Sequence, residues 1–388
     1  MQFSGQKSKY TNWHFSRDAA SNRTSMFLGI RKTFDPLGIC RCEKQLWIPS
    51  AQGIQATAFV IREMEHERIR LAGAHIHRQE KLMSGNTVSV CIPTRHRSDL
   101  LTEAILSCLA QTRLPDAILI ADDSEDSVTE ETVAKLQETT PVPIQYRRNS
   151  PPLGQNENTN SLFDRATTTH LILLHDDDWL LPNAIGDLLN CWMEYPNLTA
   201  AYGKQYVASH DGTIDVSRSH GLNTAYHRTS ERAGLQPRSW EVGILQQFPN
   251  DCYMVKSDVA RAVRWRAVSE VGDGGDFDFG LRMGLQNDGF FFLDTYTAKY
   301  RETASGSISA SDSSDTALSS YRVLRQMNLP EGAEKLRDLK MKNLAPRAMM
   351  QAIKLGRKKE AAQIYFSKHH GRRAFTLGGI RRLLLLLS

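Results

Sequence analysis

The sequence predicts an α/β protein: a mostly parallel sheet flanked by helices, with an N-terminal extension and a helical C-terminal region. Three observations predict it. Short β-branched runs alternate with segments of helical period from residue 86 onward, and the connections are short. Several strands end in polar or acidic residues, where open parallel sheets present their ligands. The composition, 40% apolar and 23% charged over 388 residues, is that of an ordinary globular chain long enough for two domains.

The elements follow in order. Residues 1–85 form an extension of mixed polar and basic character; 61–83 read as a helix of strong formers with both charge signs. His66, His75 and His77 suggest a metal at first sight but read as its solvated face. "TVSVCIPT" (87–94) is a buried strand, and "SDLLTEAILSCLAQT" (98–112) a helix with Ser98 as its N-cap. "DAILIADDS" (116–124) is a second strand, "TEETVAKLQETT" (129–140) a helix, and "VPIQYRR" (142–148) a third strand. "LGQNENTNSLFDRA" (153–166) is a helix, and "THLILLHDDD" (169–178) a fourth strand. Pro182 suits the first turn of the next helix, and "LTAAYGKQYVAS" (198–209) is a fifth strand. Residues 86–310 thus read as one α/β domain and 311–388 as a basic helical region.

Composition excludes some roles. The net charge of +5 is mild, the basic residues are dispersed, and no nucleic-acid-binding motif or phosphate P-loop occurs. The six cysteines include no CxxC pair, and those within apolar runs read as small buried thiols, so a reducing cytoplasm is expected. The N-terminus lacks the apolar core of a signal peptide, and no run approaches the ~20 apolar residues that cross a bilayer.

The acids carry the chemistry. Asp176, Asp177 and Asp178 stand side by side at the end of an apolar strand, where like charges repel near a low-dielectric core. A cation removes that repulsion. Carboxylates beside a diphosphate suit Mn²⁺ or Mg²⁺, hard ions that share oxygen ligands with phosphate. Asp122 and Asp123 end a second strand, and Pro93, Thr94 and Arg97 follow the first. One acid pair alone reads as a wet turn or helix cap; two acid-ended strands beside a Pro-Thr-x-x-Arg tip do not. In "EVGDGGDFDFGLR", Asp276 opens a helix and could accept a proton from an attacking hydroxyl, with Asp273 and Asp278 nearby.

In their order and spacing, "VSVCIPTRHR", "CLAQT", "ILIADDS", "HDDDWLLP" and "GDFDFGLR" resemble the family 2 glycosyltransferases, inverting enzymes of GT-A-like fold; the resemblance covers roughly 87–309. It implies that Pro93, Thr94 and Arg97 line the nucleotide pocket and that Asp123 binds the base beside Asp122. Asp176 would lie near the ribose or metal. Asp177 would be the metal ligand, supported by Asp178, and Asp276 the general base. The expected donor is a nucleotide-diphosphate sugar, most readily a UDP-sugar. The expected acceptor is a glycan or lipid-linked hydroxyl in polysaccharide, glycolipid or cell-envelope synthesis. Three positions depart from the family pattern: His175 where its first acid falls, Gly275 where a Glu precedes the base, and Asn156, Asn158 and Asn160 where a basic residue stands. A nucleotidyltransferase and a catalytically silent nucleotide-sugar-binding module are the alternatives.

The acceptor side is expected from about 202 to 250, where Trp240 either stacks on a sugar ring or packs in the core. The basic, leucine-rich C-terminus reads either as a peripheral contact with the inner face of a membrane or as a solvated tail or oligomer contact.

Overall fold

The computed structural model describes residues 30–34, 40–44, 85–302 and 314–387. The chain divides into two compact units, Met1–Lys81 and Leu82–Ser388. In the first, β1 (Ile30–Phe34) pairs antiparallel with β2 (Cys40–Lys44). The helix expected over 61–83, with His66, His75 and His77, lies outside the described residues.

The second unit is built on one ten-stranded sheet. Its strands are β3 (Val88–Thr94), β4 (Ala117–Asp122), β5 (Ile144–Arg148), β6 (His170–Leu173), β7 (Trp179–Leu180), β8 (Ala200–Ala208), β9 (Ile214–Asp215), β10 (Gly234–Leu235), β11 (Tyr253–Lys256) and β12 (Phe290–Arg301). The main path runs β10-β12-β8-β11-β6-β3-β4-β5. β6, β3, β4 and β5 are mutually parallel, with Cys91 level with both Leu119 and Leu173. β11 runs antiparallel between β6 and β8, and β12 lies parallel to β8. The six longer strands other than β11 therefore share one direction and deliver their carboxyl ends to one edge of the sheet.

Helices α1 (Ser98–Leu109), α2 (Val128–Gln137), α3 (Gln155–Arg165) and α4 (Ala184–Glu194) connect the first five long strands. The period-2 alternation of β3 sorts its residues between two faces. Val88, Val90 and Ile92 join Leu101, Ile105, Leu188 and Trp192 in one core, while Cys91 joins Leu119, Phe163 and Tyr253 in the other. Both faces are covered, as a parallel sheet requires.

Three local expectations are corrected. Ser98 is the first helical residue of α1, and Arg97 occupies the cap position without a side-chain cap. Pro182 precedes α4, whose cap position is Asn183, and the Pro182 carbonyl accepts the Thr112 amide at 2.8 Å. The fourth strand also stops at Leu173, so residues 175–178 form a turn beyond it.

Beyond the sheet's first half lie α5 (Val216–Ala225), α6 (Ser239–Leu245), α7 (Ser257–Val263), α8 (Val268–Val271) and α9 (Gly275–Gln286). The C-terminal region supplies α10 (Thr316–Gln326), α11 (Glu334–Lys354), α12 (Lys358–Tyr365) and α13 (Leu377–Leu387). Their apolar faces do not form a separate core. Leu318, Met341 and Met349 share a cluster with Ile244 of α6 and Phe277 and Leu281 of α9. The C-terminal helices thus buttress the helix that carries Asp276.

Candidate active site

Three strand ends and one helix start build the site. At the end of β3, the Thr94 hydroxyl donates to Asp176 Oδ2 at 2.7 Å. His96 follows with a positive φ of 51°, and its amide donates to Ser124 Oγ at 2.8 Å. This bend returns the chain into α1 and places the Arg97 side chain over the acidic turn.

At the end of β4 the two aspartates separate by function. Asp122 is wholly buried: its Oδ1 accepts the Ser124 amide at 2.8 Å and the Ser124 hydroxyl at 2.5 Å, and its Oδ2 accepts the Tyr146 hydroxyl at 2.8 Å. Expected beside the substrate, it instead fixes the turn, because its oxygens are engaged within the protein and it is absent from the cavity wall. Asp123 faces the cavity. It accepts Asn149 Nδ2 at 2.7 Å and the Leu153 amide at 3.1 Å on Oδ1, and the Gly154 amide at 2.8 Å on Oδ2. A carboxylate has about four acceptor positions, so Asp123 keeps capacity for a ligand.

The turn after β6 holds the three consecutive acids in three different environments. Arg97 Nη1 lies 3.0 Å from Asp176 Oδ1 and 3.1 Å from Asp177 Oδ2. Burial pushes the Asp176 carboxyl up from its ordinary range, and Arg97 pulls it back. Asp178 stands just behind the cavity wall, next to His175 and Asp177: its Oδ1 accepts the Arg301 amide at 2.7 Å, and burial, with Asp251 and Asp177 beside it, pushes its carboxyl well up. Its Oδ2 is buried without a hydrogen-bond partner among the described residues.

Behind the turn stands Arg301 at the end of β12, a residue that sequence reasoning missed. Its side chain is wholly buried. Nε donates to the Asp177 carbonyl at 2.9 Å, and the guanidinium also meets the His210 carbonyl and the Glu103 carboxylate. It lies 3.8 Å over the ring of Trp179. The signal for its strand lies in the aromatic and apolar run 290–301, which reads as a strand under the same rules.

On the facing wall, the structure separates three aspartates near the start of α9. Asp278 is wholly buried between Arg266 and Arg282, whose Nε atoms lie 3.0 and 2.8 Å from Oδ2. Asp273 accepts the Asp315 amide at 2.9 Å while Asp315 accepts the Asp273 amide at 3.0 Å, which pins α10 to this loop. Asp276 is half-buried on the cavity wall, and its Oδ1 accepts the Phe277 amide at 2.7 Å. Burial raises its carboxyl above the ordinary range, opposed by that amide and by the charges of His175 and Lys340.

The asparagines of α3 join the two walls. Asn160 and Trp265 exchange two hydrogen bonds of 2.9 Å between the amide side chain and the backbone. Asn156 Nδ2 donates to the Arg266 carbonyl at 2.7 Å, and Asn158 Nδ2 to the Ala121 carbonyl at 3.0 Å. Gly275 is explained by the same clamp. A Cβ there would lie 2.8 Å from Asn156 Nδ2 and 3.1 Å from a Trp265 ring carbon.

These groups enclose a cavity of about 760 Å³, lined among others by Pro93, Thr94, Arg97, Asp123, His175, Asp176, Asp177 and Asp276. Trp240, offered for sugar stacking, lies elsewhere, partly buried on the C-terminal core beneath Arg238. The large aromatic side chains on the cavity wall are Trp265 and Tyr300. His175, Asp177 and Asp178 each offer one ligand atom within 4.8 Å of the others. Two carboxylates, one with an unpartnered buried oxygen, and one imidazole fit a divalent cation. His175 was expected as a gap in this set and instead lies within it.

Residues 89–248 match the family model described as Glycosyl transferase family 2. Over 102 residues the chain is 31% identical to the GalNAc(5)-diNAcBac-PP-undecaprenol beta-1,3-glucosyltransferase of Campylobacter jejuni, covering 26% of this chain and 33% of that protein. The chain therefore spans a third of the length of that curated relative. Among solved structures, S. aureus TarS 1-349 in complex with UDP-GlcNAc is 14% identical, with a TM-score of 0.48 over 78% of this chain and 80% of that one. The mannosyltransferase PcManGT of Pyrobaculum calidifontis, in complex with GDP-Man and Mn²⁺, is 14% identical, with a TM-score of 0.48 over 77% and 85%. At that level of superposition the fold is defined by the strand order above, not by these likenesses.

Proposed function

We propose that this chain, which matches the glycosyl transferase family 2 model over residues 89–248, transfers a sugar from a nucleotide-diphosphate sugar to an acceptor hydroxyl with inversion. The observation that carries the reading is that Asp177 and Asp276 stand on the walls of one cavity.

The roles follow from placement. Asp123 offers its remaining acceptor capacity to the nucleotide base, held rigid by the Leu153 and Gly154 amides; a UDP-sugar is the donor to test first. Arg97, seated on the acidic turn, would offer its guanidinium to the diphosphate. His175, Asp177 and Asp178 would hold Mn²⁺ or Mg²⁺. Such an ion, when bound, neutralises charge developing on a departing diphosphate. Asp276 takes the acceptor's O–H proton as that oxygen bonds to the anomeric carbon. The bond from that carbon to the diphosphate oxygen breaks, and the diphosphate leaves with the electron pair. One displacement inverts the centre. The raised Asp276 carboxyl suits a general base, whose efficiency improves as its pKa approaches the operating pH.

The acceptor we propose is a glycan or lipid-linked hydroxyl. The test is donor binding and transfer across a panel of nucleotide-sugars, with and without Mn²⁺, for wild type and Asp276→Asn. Asp276→Asn should keep donor binding and lose roughly 10²–10⁴ in transfer rate. Transfer by the variant at the wild-type rate would remove Asp276 from the mechanism. Donor binding with no transfer in the wild type to any acceptor tried would leave a binding module.

A further inference from the structure

We propose that α13 (Leu377–Leu387) and the turn before it form a docking face for an anionic membrane surface. This goes beyond the transfer reaction and does not rest on it.

The helix has two unlike faces. Gly379 and Leu386 are buried, and Leu383 packs on the C-terminal core. Gly379 is needed for that seat, since a Cβ would lie 2.1 Å from the Arg373 carbonyl oxygen. The outward face carries Leu377, Ile380, Leu384 and Leu387, which are 89%, 50%, 63% and 73% exposed. Their spacing of three, four and three residues aligns them in one stripe. Four exposed aliphatic side chains in line are a contiguous patch, not scattered exposure.

Charge identifies the partner. Residues 361–388 hold five Lys or Arg and no Asp or Glu. Arg372, Arg373 and Arg381 are exposed beside the stripe. An aliphatic stripe bordered by guanidinium groups matches a surface that offers hydrocarbon under a layer of negative charge. A lipid bilayer with anionic headgroups has both; a nucleic acid or a free anion lacks the hydrocarbon. Eleven residues are far short of the ~20 needed to span a bilayer, and no described helix is long and apolar enough to cross one. The helix would lie in the interface plane with its stripe down.

The experiment is vesicle flotation with the full chain. One set of vesicles is phosphatidylcholine alone; the other is equal parts phosphatidylcholine and phosphatidylglycerol. The chain should float with the phosphatidylglycerol vesicles at low salt and less so at high salt. Changing Arg372, Arg373 and Arg381 together to Glu should weaken binding on the order of 100-fold or more, at about tenfold or less per basic residue. Leu384→Glu, at an exposed position, should release the protein while leaving its melting temperature and donor binding unchanged. The proposal is overturned by equal binding to both vesicle types, by no binding to either, or by variants that bind like wild type. A dimer in light scattering that Leu384→Glu dissociates would also overturn it and assign the stripe to a second copy of the chain. None of these readouts requires turnover, so their failure is distinct from failure of the transferase reading.

Discussion

Arg97 places one nitrogen, Nη1, 3.1 Å from Asp177 Oδ2, so the acidic turn already holds a cation of the protein's own. The same atom lies 3.0 Å from Asp176. Arg97→Gln removes the bridge and leaves two neighbouring carboxylates facing each other. Without divalent ions we expect a loss of about 1–3 kcal/mol, the usual scale for a hydrogen bond to a charged group and its unpaired partner. Mn²⁺ should restore more stability to the variant than it adds to wild type, because it meets more uncompensated charge. Thermal melts in chelator and in Mn²⁺ check this. An equal Mn²⁺ increment in both proteins would separate Arg97 from the ion site.

The pH dependence of transfer should be set on its acid side by Asp276. The base acts only when unprotonated, so the rate falls as pH drops through its pKa. Burial raises that pKa above the ordinary carboxylate value, which moves the limb to higher pH. Lys340 of α11 opposes the shift through its charge, and burial lowers its own pKa to about 8. Lys340→Met should therefore move the acid limb of kcat to higher pH still. A limb that stays in place, measured under saturating donor, would sever the link between the C-terminal helices and the base.

In the proposed ion site His175 would supply an imidazole where the family pattern has an acid. His175→Asp makes the set all-oxygen, which suits Mg²⁺ better relative to Mn²⁺. Titration calorimetry with each ion should show the ratio of Mn²⁺ to Mg²⁺ affinity falling by roughly tenfold or more, the scale of one altered ligand. An unchanged ratio would take His175 out of the ligand set.

Much of this site was legible in the sequence because its parts are local. A strand ending in acids is read from a few consecutive residues, and the order of such strands from 87 to 209 predicts the parallel half of the sheet. What escaped depends on distance. Asp122 and Asp123 are adjacent letters, yet Ser124 and Tyr146 claim one and the cavity keeps the other. The Asn residues of α3 looked like a missing basic group; their clamp on Trp265 and Arg266 spans more than a hundred residues. Arg301 reaches back 124 residues to the Asp177 carbonyl, a pairing no local pattern encodes.

Gly275 tests the clamp. Gly275→Glu restores the family's residue before the base, but its Cβ would press on Asn156 and Trp265. Overpacking of this kind costs about 1–3 kcal/mol, and here the strain falls on the link between the walls. Transfer should drop with little change in donor affinity, because Asp123 and Asp177 belong to the opposite wall. Gain of activity in Gly275→Glu would mean that the glycine is a defect and not a fit.

Arg301 has the most to lose by substitution. Arg301→Met keeps the backbone amide that Asp178 accepts, so the loss falls on the guanidinium alone. The carbonyls of Asp177 and His210 lose their donor, at about 1–3 kcal/mol for each buried group left unpaired. Arg301→Lys keeps the charge but not the fork that serves several acceptors at once, so it should rescue only part of the stability. Both variants loosen the turn that holds His175 and Asp177, and Mn²⁺ affinity should fall with the melting temperature. The acid limb of the pH profile should move little, since Asp276 is held by α9 on the other wall and is raised chiefly by burial, with His175 a smaller, opposing influence. A variant with weakened Mn²⁺ binding, an acid limb that moves little and partial rescue by Lys would identify Arg301 as the support of the acidic turn. Full rescue by Lys would reduce its role to charge.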